Sequence, residues 1–121
     1  MGLKETNMAY KIIEDYTPNY TAVPKVNDIL HATVRFTQLY NVFYKITKVM
    51  PKSVELVQLD TQTITSDKYG QAGTEMPTAK VISKPMTKRY TTDAQGIKVK
   101  FDKYTMLKAW NGLAKKFNCY D

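Results

Sequence analysis

Cations and aromatic rings are interleaved through the last third of this chain, in Lys88-Arg89-Tyr90, Lys98, Lys100, Lys103-Tyr104 and Lys115-Lys116-Phe117. Ammonium and guanidinium groups neutralise phosphates while neighbouring rings stack on bases, so the chemistry this mixture suits is nucleic-acid binding. The candidate contacts are Lys84, Lys88, Arg89, Lys98, Lys100, Lys103, Lys115 and Lys116, with Tyr40, Tyr44, Tyr90 and Tyr104 as surface aromatics. Lys98 and Lys100 are the strongest members, because strand alternation sets both on one exposed face. Contact with four to six phosphates predicts that log affinity falls with log salt at a slope of roughly −4 to −5. Two competing readings are solvated lysines on strand faces with the rings turned inward, and a surface for an acidic protein.

Charge is divided along the chain in the same sense. Met1 to Ala79 carries eight Lys/Arg and eight Asp/Glu, whereas Lys80 to Asp121 carries ten against three and so holds the entire net charge of +7. A one-sided field of this kind points to an anionic partner.

Catalytic chemistry finds little to work with. His31 falls at an exposed strand position on the face of Arg35, and no Ser or Cys sits in an elbow or capping context. Asp28, Asp60, Asp93 and Asp102 are scattered over separate turns, with no spacing that gathers them around a metal. Gly70-Gln71-Ala72-Gly73 lacks the Gly-Lys-Ser/Thr ending of a phosphate loop. One His and one Cys fall short of a zinc site, and the single Cys119 excludes an internal disulfide and reads as a small apolar filler. The expectation is a non-enzymatic module with no cofactor.

With 121 residues, 43 % of them apolar, the chain suits one domain with a real core. Residues 1–25 read as an extended lead-in shaped by Pro18 and Pro24, and 26–121 as a single compact domain. Met8 is a second plausible start, which makes Met1 to Asn7 a loosely held leader. No run of about 18 apolar residues exists to span a bilayer, and the N-terminus lacks the plan of a signal peptide. A soluble, intracellular protein without a membrane partner is expected.

The elements that must position the cations are mainly strands. Nine Tyr, four Phe and many Val, Ile and Thr, set in short runs between turn formers, favour β structure. In Asp28–Phe36, Leu30, Ala32, Val34 and Phe36 alternate with His31, Thr33 and Arg35, the pattern of a half-buried strand. Val42–Met50 and Ser53–Leu59 form a hairpin across Pro51-Lys52. Val54/Leu56 and Val57/Leu59 cannot share one face of a regular strand, which predicts a bulge near Leu56 or burial on both sides. Thr61–Pro77 is polar, holds Gly70 and Gly73, and reads as a long loop. Lys80–Thr91 and Ile97–Phe101 are two more strands, separated by Asp93-Ala94-Gln95-Gly96. Tyr16, Tyr20, Phe36, Tyr40, Phe43 and Tyr44 are either inter-strand packing or a peptide-binding aromatic groove.

The tail allows two structures. Tyr104, Leu107, Trp110, Leu113 and Phe117 recur at three- and four-residue intervals, which suits an amphipathic helix over Lys103–Phe117. Asn111-Gly112 is instead a turn pair that ends a helix and starts a hairpin arm. Spacing alone favours the helix.

Several stretches resemble a family of small phage and prophage proteins that carry a "GDI…SWGYDQTNVxFYxV" segment near the start. The matching residues are Asn27-Asp28-Ile29-Leu30, Thr33–Tyr40 and Phe43-Tyr44-Lys45-Ile46, with the spacing kept and Asp28, Gln38, Phe43 and Tyr44 retained, while Val34-Arg35 and Leu39-Tyr40 replace the family's Trp-Gly and Thr-Asn. Lys84–Arg89 is similar to the family's "PMTKR" strand, and Ile97-Lys98-Val99 with Trp110-Asn111-Gly112 and Tyr120 to its "VKI…WDG…Y" ending. The resemblance implies a compact, mostly β domain, a home in a mobile element within a bacterial cytoplasm, and a turn at Asn111-Gly112. It implies no activity.

The fold class expected is mainly β, with α+β as the variant: a small SH3-like five-stranded barrel, closed to hide its edges, with a short helix or turn near the C-terminus. The function expected is a basic binding module of phage or mobile-element origin whose Lys80–Lys116 face engages nucleic acid or a nucleic-acid-handling complex. An anti-CRISPR-like inhibitor of a host nuclease complex is the alternative, and +7 disfavours direct DNA mimicry by it. The third possibility is a structural protein that self-associates through its aromatic cluster. The partner is thus nucleic acid or an anionic nucleoprotein or protein surface, and the chain a monomer or small homo-oligomer.

Overall fold

The structure is a computed structural model that describes residues 11–35 and 38–118. Nine strands follow one another: β1 (Ile29–Arg35), β2 (Leu39–Val49), β3 (Ser53–Ser66), β4 (Ala72–Val81), β5 (Met86–Arg89), β6 (Thr91–Asp93), β7 (Gly96–Lys100), β8 (Met106–Ala109) and β9 (Lys115–Asn118). All pairings are antiparallel, in the order β5-β3-β4-β9-β2-β1-β8-β7-β6, with β2 also paired to β3. The chain is mainly β, as its composition implies, and it closes into a small SH3-like barrel with additional outer strands. Among the described residues there is no helix, hence none long and apolar enough to cross a membrane.

Closure happens twice around β2 and β3. On one side β2, β3, β4 and β9 complete a ring of four strands. On the other, β3-β2-β1-β8-β7 curls until β5, bonded to β3, leans back against β7. Leu30, Tyr44, Ile46, Leu56, Val99 and Leu107 fill the latter curl. Ile29, Phe43, Leu59 and Trp110 form a separate cluster on the opposite face of β1–β3, joined by Ile13 and Tyr16 from the lead-in and Met76 from β4. The lead-in is tied down by the Ile13 N–H to the Pro77 carbonyl, 2.9 Å, and by the Ala79 N–H to the Lys11 carbonyl, 3.0 Å.

Of the two solutions foreseen for the Leu56 region, burial on both sides occurs, and the bulge sits on the facing strand instead of at Leu56. Leu56 and Val57 are buried on opposite faces, and the register shifts between Ile46 and Lys48, leaving Thr47 as the extra residue of a bulge on the facing strand. The Thr47 hydroxyl lies 2.8 Å from Glu55 Oε1 and 3.3 Å from the Glu55 carbonyl, tying the bulge to the facing strand.

Three local expectations are corrected. Thr61–Pro77 is no loop: β3 and β4 continue through it as a paired arm, with Asp67–Gln71 as its turn. Thr61, Thr63, Thr65 and Thr74 supply β-branched residues there, but Gln62–Ser66 are exposed on both faces, so no apolar alternation announces the strand. Lys80–Thr91 is divided, because β4 ends at Val81 and Ser83 turns the chain by accepting the Gln58 N–H at 2.8 Å before β5 begins. The tail helix is absent. β8 pairs with β1 and β7 while β9 pairs with β4 and β2, so Asn111-Gly112 carries the chain across from one closure to the other and does not make a hairpin. Gly112 has φ +84°, the Leu113 N–H donates to Asn111 Oδ1 at 3.0 Å, and Trp110 Nε1 donates to the Leu113 carbonyl at 2.8 Å. Tyr104 and Leu113, two members of the proposed helical stripe, are 68 % and 65 % exposed.

Candidate nucleic-acid interface

The aromatic and basic residues meet at one mouth of the larger curl. Strand β7 ends at Lys100, and Phe101–Thr105 folds into a tight turn in which the Phe101 N–H donates to the Thr105 carbonyl at 2.9 Å. The Tyr104 N–H donates to Asp102 Oδ1 at 2.9 Å; that bond, before any other influence, holds the Asp102 carboxyl below the usual carboxylate range. The fold of the turn sends the Tyr104 side chain outward. Tyr40 and Tyr44 arrive from β2, and the Tyr44 and Phe101 rings lie 5.0 Å apart, tilted by 35°. Burial raises the Tyr44 phenol above its ordinary pKa. Tyr40, Tyr44, Phe101 and Tyr104 thereby wall a cleft of about 200 Å³ with Asp102 and Thr105 at its edge.

Three lysines lie next to this cleft without lining it. Lys88 on β5 donates from Nζ to the Phe101 carbonyl at 3.3 Å and sits 4.9 Å from the centroid of the Phe101 ring. Lys103 Nζ stands 5.5 Å from the Tyr104 centroid. Lys100 and Lys103 line a second hollow of about 140 Å³ on the other side of the Asp102–Thr105 turn. A cation over a ring face is attracted to its quadrupole, and a base can replace or sandwich such a contact at little cost.

Not all twelve candidate residues are gathered here. Lys88, Lys100, Lys103, Tyr40, Tyr44 and Tyr104 come together, although Tyr44 is buried at the floor and is not the surface ring expected. Lys84 and Arg89 are exposed on the β4–β5 connection and at the end of β5, lining neither hollow. Tyr90 is half-buried against the apolar core and donates its hydroxyl to the Pro51 carbonyl at 3.3 Å. Lys98 does not stand free beside Lys100: it is half-buried and ion-paired with Asp93, whose carboxyl it holds below the usual range. Lys115 and Lys116 lie on β9, across the fold's other closure. The single Lys80–Lys116 face of the sequence reading is thus divided among several surfaces.

His31 is also corrected, being half-buried with its ring 4.9 Å from that of Phe43. Its Nε2 lies 2.7 Å from Asn41 Oδ1, which also accepts from the Thr33 hydroxyl at 3.1 Å. Asn41 turns its amide nitrogen to Glu75 Oε2 and the Lys116 carbonyl, both at 2.8 Å, so Oδ1 can only accept and the imidazole carries its proton on Nε2. Burial, helped by the charge of Lys115 and opposed by the Asn41 bond, lowers the His31 pKa from its usual value. Of the two readings of the aromatic cluster, packing describes Tyr16, stacked on Trp110 at 5.1 Å, and Phe43, which meets Trp110 edge-on at 5.5 Å, while Tyr20 is exposed elsewhere. Phe36, Cys119, Tyr120 and the Met1–Asn7 leader lie outside the described residues.

Sequence reasoning missed Phe101, Asp102 and Lys108. Phe101 was legible as the first aromatic after the regular alternation of Ile97 and Val99, a position that marks a strand end. Lys108 was hidden by the helical spacing of the tail; read as strand, it alternates with the buried Leu107. Compared with known proteins, the chain matches no family model, no curated protein and no solved structure.

Proposed function

We propose that this small β-barrel is a non-enzymatic module that binds single-stranded nucleic acid at the Tyr40–Tyr44–Phe101–Tyr104 mouth. The observation that carries this is the cleft walled by those four rings, with Lys88 against Phe101 and with Lys100 and Lys103 lining the adjoining hollow. Tyr104, 68 % exposed, and Tyr40 line the same cleft and supply rings on which a base can stack, and the lysines stand near enough to meet the flanking phosphates. Stacking suits every base, so little sequence preference is expected. A cleft of about 200 Å³ suits one unstacked base and not the body of a duplex, which favours single strands.

Fluorescence anisotropy with single- and double-stranded oligonucleotides at about 50 and 200 mM salt tests the proposal. Three phosphate contacts on a single strand give a log–log salt slope of about −2, shallower than the eight-cation face would have given. Tyr104→Ala should weaken binding by roughly 1–3 kcal/mol, the contribution of one stacked base. Absence of binding at the lower salt, or a Tyr104→Ala variant with undiminished affinity, would overturn it.

A further inference from the structure

A second basic site lies away from the mouth, on the outer face of β1, β8 and β7. Lys98 and Lys108 are direct cross-strand partners in the β7–β8 ladder, and Lys108 is also the partner of His31 on β1. Two like charges directly opposite each other destabilise a sheet unless something anionic is shared between them. Asp93 answers Lys98 from the neighbouring turn and also feels the charge of the exposed Lys108, so one carboxylate offsets two ammonium groups and a net positive charge is left.

Beside this pair runs a groove of about 340 Å³, bounded by Tyr20 of the lead-in, Gln95 and Ala94 of the β6–β7 turn, and Ala109. The wall that Tyr20 forms is held in place. Asn19 Nδ2 donates to Asp28 Oδ2 at 2.7 Å and to the Val23 carbonyl at 2.9 Å, while the Thr21 N–H donates to Asn19 Oδ1 at 3.0 Å. Gly96, at φ +111°, lets the Tyr20 backbone pass so close that a Cβ there would lie 3.2 Å from it. The groove therefore sets an exposed aromatic side chain and largely apolar walls at one side and two opposed ammonium groups at the other.

We infer that this groove binds a nucleoside phosphate, its phosphate between Lys98 and Lys108 and its base against Tyr20. The volume is at the low end for small-ligand sites, roughly 300–1,000 Å³, and fits one nucleotide. A phosphomonoester brings a charge of about −1.5 to −2 at neutral pH, enough to relieve the Lys98–Lys108 repulsion with Asp93 still in place. The same chemistry is offered by a free nucleotide and by the phosphorylated end of a strand. The site shares no residue with the mouth proposed above, so the two stand or fall separately.

Calorimetric titration of the full chain at low salt with AMP, adenosine and inorganic phosphate tests it. AMP should bind, with adenosine and phosphate each weaker, and Lys108→Ala should weaken AMP about tenfold or more, as expected for loss of one charged hydrogen bond. Tyr20→Ala should weaken AMP about fivefold or more by removing the stacking surface. Both positions are exposed, and the circular dichroism spectrum should be unchanged. If a pentathymidylate with a 5′-phosphate binds tighter than its unphosphorylated twin, and Lys108→Ala removes only that gain, the strand end is the source; response to AMP alone marks the free nucleotide. No binding of either probe, or AMP affinity indifferent to both substitutions, would overturn the inference. Tyr104→Ala should leave AMP binding intact, so failure of the mouth and failure of the groove give different results.

Discussion

The two faces of β1–β3 solve the same packing problem by different means. Toward β7 and β8 the shared strands pack Leu30, Ile46 and Leu56 with Val99 and Leu107 as an apolar interior. Toward β4 and β9 they combine Phe43 and Leu59 with a buried polar junction in which Asn41 bonds Glu75, the Lys116 carbonyl, Thr33 and His31. Among the described residues no buried side-chain nitrogen or oxygen is left without a partner. Apolar burial is non-directional and tolerates shape changes; a polar junction is directional and holds only when complete. The first side should thus yield gradually to substitution and the second abruptly.

The largest effect should come from opening the apolar side. Leu107→Ala, at a fully buried position, should cost about 2–5 kcal/mol in urea unfolding, and Leu107→Met less than about 1.5 because volume is conserved. Asn41→Leu sharpens the contrast, since it also conserves size yet strands the groups it paired; a loss of about 1–3 kcal/mol is expected there, more than for Leu107→Met. If the two conservative swaps cost the same, the distinction between the faces fails.

A smaller effect is expected from pH. His31 faces Lys108 across the ladder and Lys115 on β9, with Glu75 beyond Asn41, and its pKa is lowered in the fold. Above the usual 6.5 the imidazole is neutral folded and unfolded, so it contributes no slope. Below that value the unfolded chain takes up the proton while the folded chain resists, and stability falls as pH drops toward the depressed pKa. His31→Gln should flatten this limb in denaturation midpoints measured between about pH 7 and 5. The smallest effect is Tyr104→Ala, an exposed position, which should leave stability within about 0.5 kcal/mol while weakening oligonucleotide binding.

How much of this was legible depended on where apolar alternation exists. β1 and β7 present it, and Leu30/Ala32/Val34 and Ile97/Val99 point inward as read, whereas β2 and the first half of β3 are apolar runs buried on both faces. Gln62–Ser66 of the β3–β4 arm offer none, because both faces meet solvent there. The tail misled by coincidence: Leu107, Trp110 and Phe117 are all buried at helix-like spacing, but Leu107 belongs to one cluster and Trp110 to the other, with a turn before Phe117. At the site, the residue types were legible and the company they keep was not. Tyr40 and Tyr44 meet Phe101 and Tyr104 only because a strand near the start curls round to one near the end, a long-range closure no local pattern encodes.

The arrangement of β9 has a kinetic consequence. Its pairing of Leu39 with Asn118 and of Gly73 with Phe117 closes the four-strand ring with the last strand described, so that seam must wait for most of the chain. Topologies dominated by such non-local pairings fold in about milliseconds to seconds. The same seam is short and can part while the Leu56–Leu107 interior stays shut, so β9 amides should exchange with deuterium through a local opening, well before those of β1 and β2.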